Sequence, residues 1–188
     1  GVSELRDRGA TRLLSFGYCG GLDGTLSTGD VVIADAIIAP DGRRLAVDGA
    51  MRQQLEQAIA ADGLRHRCGP LLGVDAIVTS ADRKRTLAAA TGAIACDMES
   101  HAMAFAAAGA LPIGAVRVVV DPASRSFPAS VVEAMGDDGR LRPTTLLRGL
   151  LRRPADIVSL PALARDSGRA RPALRRAAAA LGRVAGLV

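Results

Sequence analysis

Three short segments carry side chains that can do chemistry. Asp121 closes an apolar run, Val116-Arg117-Val118-Val119-Val120, and stands directly before Pro122. Asp97 and Glu99 sit in Cys96-Asp97-Met98-Glu99-Ser100, where another short apolar run gives way to a helix-forming stretch. Gly17-Tyr18-Cys19-Gly20-Gly21 follows a third apolar run and offers backbone N–H groups free of large side chains, a cradle for an anion or a ribose. In an open α/β sheet, ligands sit outside the carboxyl ends of the strands, so carboxylates at two strand ends can face one pocket. Each feature also has a plainer use: a turn for the glycines, favourable charge at a helix N-terminus for Asp97 and Glu99, an ordinary turn aspartate for Asp121. Arg117 is harder to place as decoration. A guanidinium inside an apolar strand needs a carboxylate or carbonyl partner, so it predicts a structured polar site nearby.

The elements that must position these residues follow from pattern. Thr11 to Phe16 reads as a buried strand ending in a tight glycine turn, and Asp30 to Ala39 as a second strand stopped by Pro40-Asp41-Gly42. Met51, Leu55, Ala58 and Ile59 form one stripe of a helix over 48–61. Leu71 to Thr79 reads as a third strand, with Ser80 capping a helix that runs to about Ala90. Gly92 to Cys96 is a fourth strand, Met98 to Ala108 a small-residue helix ending at Gly109, and Ile113 to Val120 a fifth strand. The opening, Val2 to Gly9, reads as the last turns of a helix leading into a strand. Alternation at this spacing predicts a mostly parallel sheet covered on both faces. From Ser126 onward, Pro128, Pro143, Pro154, Pro161 and Pro172 punctuate short helices. The expected organisation is a single domain over 1–188, with a sheet core over 1–125 and a helical extension over 126–188.

Apolar residues make up 49% of the 188, enough for a globular core, and no apolar stretch approaches the roughly 18 residues of a membrane span. With no signal-peptide pattern and three cysteines at unpaired spacing, a reducing cytoplasm is the expected compartment, and neither a disulfide framework nor a zinc site is expected. Cys19 and Cys96 flank the proposed site without a base partner, which argues against a thiol nucleophile. His66 reads as a surface residue in a turn and His101 as a packing residue. The net charge of +5 is uneven: residues 140–188 carry eleven Arg against two Asp. With one Tyr, three Phe and no Trp there is no platform for stacking bases, so nucleic acid is not an expected partner.

Ser15-Phe16-Gly17-Tyr18-Cys19-Gly20-Gly21-Leu22 followed by Gly29-Asp30-Val31-Val32-Ile33 resembles the glycine signature of the purine nucleoside phosphorylase and methylthioadenosine/S-adenosylhomocysteine nucleosidase superfamily. Thr91-Gly92-Ala93 through Asp97-Met98-Glu99-Ser100 is similar to its ribose-binding segment, and Val116 to Asp121 to the strand that delivers its catalytic aspartate. The three motifs stand in the family's order over roughly residues 10–125. The resemblance implies an α/β three-layer sandwich around a mixed, mostly parallel sheet, with no counterpart here of the family's N-terminal strand. It implies Asp121 as the acid that protonates N7 of a departing purine, which a desolvated strand end can keep protonated. Glu99 would bind the ribose hydroxyls, Met98 would pack on the sugar, Ile77 and Val78 would hold the base, and Arg125 would assist Asp121. Gly17, Tyr18, Cys19 and Gly20 would line the ligand side of the glycine segment. No metal or cofactor is implied beyond phosphate as a co-substrate. Ser15, Tyr18 and Val120 depart from residues common in phosphorylases, so phosphate and water stay open as nucleophile.

The last third is similar to a narrower branch, the hopanoid-biosynthesis-associated phosphorylase-like proteins, through Ser126-Phe127-Pro128, Gly139 and Leu146-Leu147-Arg148-Gly149-Leu150-Leu151-Arg152-Arg153-Pro154. That resemblance implies adenosylhopane as substrate, adenine as product, and a homo-oligomer. Leu146, Leu147, Leu150 and Leu151 beside Arg148, Arg152 and Arg153 would supply a peripheral contact to the inner membrane, against the plainer use of those leucines in packing on the sheet. The alternative function is a nucleoside-binding relative without catalysis.

Overall fold

The computed structural model describes residues 2–107, 110–134 and 142–184, so the expected helix end at Ala108-Gly109 and the motif residue Gly139 lie outside the described residues. In chain order, α1 (Val2–Asp7) leads into β1 (Leu13–Gly21), and β2 (Val31–Ile38) turns back as the short β3 (Arg44–Ala46). There follow α2 (Gly49–Ala61), β4 (His66–Gly73), α3 (Ala81–Thr91), β5 (Ala95–Asp97), α4 (Ser100–Ala107) and β6 (Ile113–Asp121). The extension consists of α5 (Ala129–Ala134), α6 (Pro143–Arg152), a 3-10 turn (Pro154–Ser159) and α7 (Leu160–Leu181). The helix starts obey local chemistry: Asp48 caps α2 by accepting from the Met51 N–H at 2.7 Å, and Ser80 caps α3 by accepting from the Arg83 N–H at 3.2 Å. Gly92 ends α3 at φ 70°, a conformation that costs a side chain but not glycine.

The expected α/β class and mixed sheet hold. The strands run β3-β2-β4-β5-β1-β6, and the two long ladders, β1 with β6 and β2 with β4, are parallel. β2 also pairs antiparallel with β6 through Val31–Val118, Val32–Arg117 and Ile33–Val116, so five strands close into a ring with β3 outside it. Alternate residues of the same strands feed two cores. Val32, Ala34, Ala115 and Val119 pack with Ala104 and Ala107 of α4, while Val31, Ile33, Val116 and Val118 pack under α2 and α7. Burial on both faces explains why these strands read as continuous apolar runs.

Four sequence expectations shift. β1 runs straight through the glycines to Gly21 instead of turning at Gly17, because β6 and β5 pair with it along that length. β4 begins at His66 and ends at Gly73, so residues 74–79 are loop and His66 is on a strand, paired with Val31. A Cβ at Gly73 would lie 2.4 Å from Nδ1 of His101, whose ring fills that space as the expected packing residue. Pro172 lies inside α7 rather than ending it; the carbonyl its ring frees belongs to Gly168, which is exposed and can be hydrated. The expected leucine stripe divides as well. Leu146 and Leu150 are half-buried, whereas Leu147 and Leu151 are exposed, because buried Gly149 brings α6 against Ser130 of α5. No described helix is long and apolar enough to cross a membrane.

Candidate functional site

The polar centre predicted from Arg117 exists. Its side chain is buried, with Nε donating to Asp97 Oδ2 at 2.6 Å and one terminal nitrogen, Nη2, donating to Ser15 Oγ at 2.5 Å and Ser100 Oγ at 2.9 Å. Ser100 also donates to Asp97 Oδ2, at 2.6 Å from Oγ and 3.1 Å from its backbone N–H. The guanidinium packs against Gly17, where a Cβ would stand 3.5 Å from it. β1, β5, β6 and the start of α4 are thus tied together by one charge network at the carboxyl end of the sheet. Glu99 reaches the edge of it, 3.7 Å from Arg117, with its carboxylate largely in the open. Arg117→Met should cost about 3–5 kcal/mol, because Asp97 would be left as an uncompensated buried charge. Urea unfolding measures this, and a loss below about 1 kcal/mol would show that Asp97 has another way to be satisfied.

Asp121 occupies the neighbouring strand end and is nearly buried. Lys84 of α3, fully buried, donates to Asp121 Oδ2, to the Pro122 carbonyl at 2.9 Å and to the Arg125 carbonyl at 3.2 Å. Three acceptors match the three N–H bonds of an ammonium, and carbonyls can only accept, so the cavity is built for the charged lysine. Burial pushes the Asp121 carboxyl above its usual range, and nearby Asp166 adds to the rise; Lys84 opposes both without cancelling them. Asp121 Oδ1 points past Gly20, where a Cβ would stand 3.3 Å from it.

A cavity of about 470 Å³ opens over these strand ends. Tyr18, Cys19, Gly20, Ile77, Val78, Met98, Glu99 and Asp121 all line it, so the structure brings together the residues assigned from separate motifs. Gly17 and Arg125 are not in that lining. Gly17 gives space to the Arg117 guanidinium and pairs with β6, whereas the ladder shifts register between Cys19 and Gly20, the part of the segment that lines the cavity. Arg125 turns its guanidinium to Asp166 of α7, with Nε at 2.9 Å and a terminal nitrogen at 2.6 Å from Oδ2, and meets the Lys84–Asp121 pair only through its carbonyl. Cys19 and Cys96 are buried in the wall; burial raises both thiols, Cys96 to about 12, and neither is poised to attack. Sequence reasoning left Asp97 without a partner and missed Lys84, Asp166 and an apolar flank of Val120, Phe127, Val131 and Leu163.

The sequence profile of the phosphorylase superfamily matches residues 4–152. The chain belongs to this superfamily. No curated protein sequence matches it. Among solved structures, this superfamily member is similar to the 5′-methylthioadenosine/S-adenosylhomocysteine nucleosidase of Helicobacter pylori, determined in complex with a substituted pyrrolidinol. That match has 16% identity and a TM-score of 0.65, and spans 96% of this chain and 72% of the other. A protein of Francisella philomiragia described as a putative nucleosidase of the same kind is 18% identical, with a TM-score of 0.66 and coverage of 97% and 74%. A mutant of the futalosine hydrolase of Helicobacter pylori is 19% identical, with a TM-score of 0.58 over 63% of this chain and 61% of that one. At these identities the likeness is one of fold, and the chemistry rests on the site itself.

Proposed function

We propose that this superfamily member cleaves the N-glycosidic bond of an adenine nucleoside carrying a bulky apolar 5′ group, adenosylhopane in particular, and releases adenine. The observation that carries the reading is Asp121: a carboxyl held towards its acid form by burial, at the rim of a cavity shared with Glu99 and Met98. The bond from C1′ to the purine nitrogen breaks with its electron pair going to the base, while Asp121 gives its proton to N7 so that the base leaves neutral. Glu99 accepts hydrogen bonds from the ribose hydroxyls and its charge stabilises the cationic sugar. Met98 packs on the sugar, and Ile77 and Val78 hold the base. Val120, Phe127, Val131 and Leu163 give the 5′ group an apolar wall.

Four carboxylates, Asp97, Glu99, Asp121 and Asp166, and no cationic side chain stand among the described residues that line the cavity. Three of these carboxyls already meet a cation, Asp97 with Arg117, Asp121 with Lys84 and Asp166 with Arg125, so the lining leaves phosphate and water open as nucleophile. The test is adenine release from adenosylhopane and from 5′-alkylthioadenosines, with and without phosphate. Release without phosphate supports hydrolysis, release that requires phosphate makes the enzyme a phosphorylase, and binding without release from any purine nucleoside replaces the reading with a non-catalytic binder.

A further inference from the structure

We propose that Asp166 reads the amino group at C6 of the purine, and that this carboxylate, contributed by the C-terminal helix α7, makes the site selective for adenine over 6-oxopurines. The proposal rests on the nucleoside-cleaving reading above. A carboxylate with two free oxygens can serve both N7 and the adjacent amino group of adenine. Here Oδ2 is occupied by Lys84, whose remaining protons are held by the Pro122 and Arg125 carbonyls. Oδ1 has no hydrogen-bond partner among the described residues, and N7 takes it. N7 and the C6 substituent lie on the same edge of a purine, so the wall beside Asp121 faces the group at C6.

That wall carries Asp166. It lines the same cavity and is 8% exposed. Both of its hydrogen bonds from Arg125 converge on Oδ2. Among the described residues no donor reaches Oδ1. A guanidinium that grips Oδ2 from behind holds the aspartate in one orientation, with Oδ1 as the acceptor it offers. It pairs with a 6-amino N–H, whereas a 6-oxo group would set two acceptors against each other in a largely desolvated place. The arrangement also explains why Arg125 faces away from Asp121: its guanidinium orients the reader and leaves the acid to Lys84.

The experiment compares 5′-methylthioadenosine, 5′-methylthioinosine and the 5′-methylthio derivative of purine riboside, which has hydrogen at C6. The full-length protein and Asp166→Asn are each assayed by kcat/KM, and free adenine and hypoxanthine are titrated calorimetrically. The wild type should prefer the adenosine by about 10- to 100-fold over both analogues and bind adenine over hypoxanthine. Asn at 166 can turn its oxygen to Arg125 and its amide nitrogen to the cavity, so the variant should lose that preference and improve on the inosine. Equal wild-type rates on adenosine and purine riboside would overturn the proposal without any variant, as would an unchanged adenine-to-hypoxanthine ratio in a folded Asp166→Asn. A wild type that cleaves and binds no purine at all would overturn the underlying reading and this proposal with it, whereas cleavage without C6 discrimination leaves the underlying reading intact.

Discussion

Asp121→Asn is expected to lower kcat by about 10²- to 10⁴-fold while changing nucleoside affinity by less than about threefold. The amide preserves the shape of the strand end and can still meet N7, so the ground-state complex survives. It cannot deliver a proton as the glycosidic bond breaks, and the purine would have to leave as an anion. That cost falls on the transition state alone. The wild-type pH profile makes the assignment independent of the variant. Because the acid form of Asp121 is the reactive one and its pKa is raised by burial, kcat/KM should be flat at acid pH and fall as pH rises through that raised value. The variant should lose this limb. Full turnover in Asp121→Asn would show that another group protonates the base.

The line from residues to site was readable where local pattern and chemistry coincide. Ser80 was legible as a helix start because a short polar cap precedes a helical stripe, and it makes the expected bond. Arg117 was legible because an apolar strand cannot hold a guanidinium without a partner. The partner, Asp97, was visible in the same motif as Glu99, but nothing in the spacing said which carboxylate would turn inward. β5 decides that: alternation along Ala95–Asp97 and the register Gly73–Asp97 place Asp97 in the wall.

In the glycine segment two uses of glycine overlap. Gly17 and Gly20 stand where polar side chains of β6 cross, Arg117 in one case and Asp121 in the other, and the strand shifts register between Cys19 and Gly20. Closure of the sheet through β2 and β6 was likewise beyond local pattern, since both strands are apolar on both faces whether or not they meet. Asp166 was hidden by distance. It lies 45 residues beyond Asp121 in a helix rich in Arg and Ala, and only the docking of α7 over β6 brings it to the cavity. Lys84 did leave a signal. It is the single lysine beside 23 arginines, so composition alone would have put arginine there.

The difference between those two cations decides the last expectation. A guanidinium spreads its donors over a plane, whereas an ammonium concentrates three at one point, which is what Asp121 Oδ2, the Pro122 carbonyl and the Arg125 carbonyl require. Lys84 lowers the affinity of Asp121 for its proton at rest and stabilises the carboxylate that remains once the proton has moved to the base. Lys84→Met removes both effects, and they have opposite signs in a pH profile. Asp121 keeps its proton to higher pH, so the falling limb of kcat/KM moves alkaline. The acid is also weaker and its carboxylate unsupported, so the plateau drops, by about 10²- to 10³-fold if the ammonium acts like one strong preorganised donor. Lys84→Arg restores the charge without the three-point fit, and should recover the position of the limb more completely than the height of the plateau. A purely structural lysine would lower the plateau through misfolded protein and leave the limb where it was. Movement of the limb in the folded fraction therefore separates a residue that sets the acidity of Asp121 from one that only fills the space behind it.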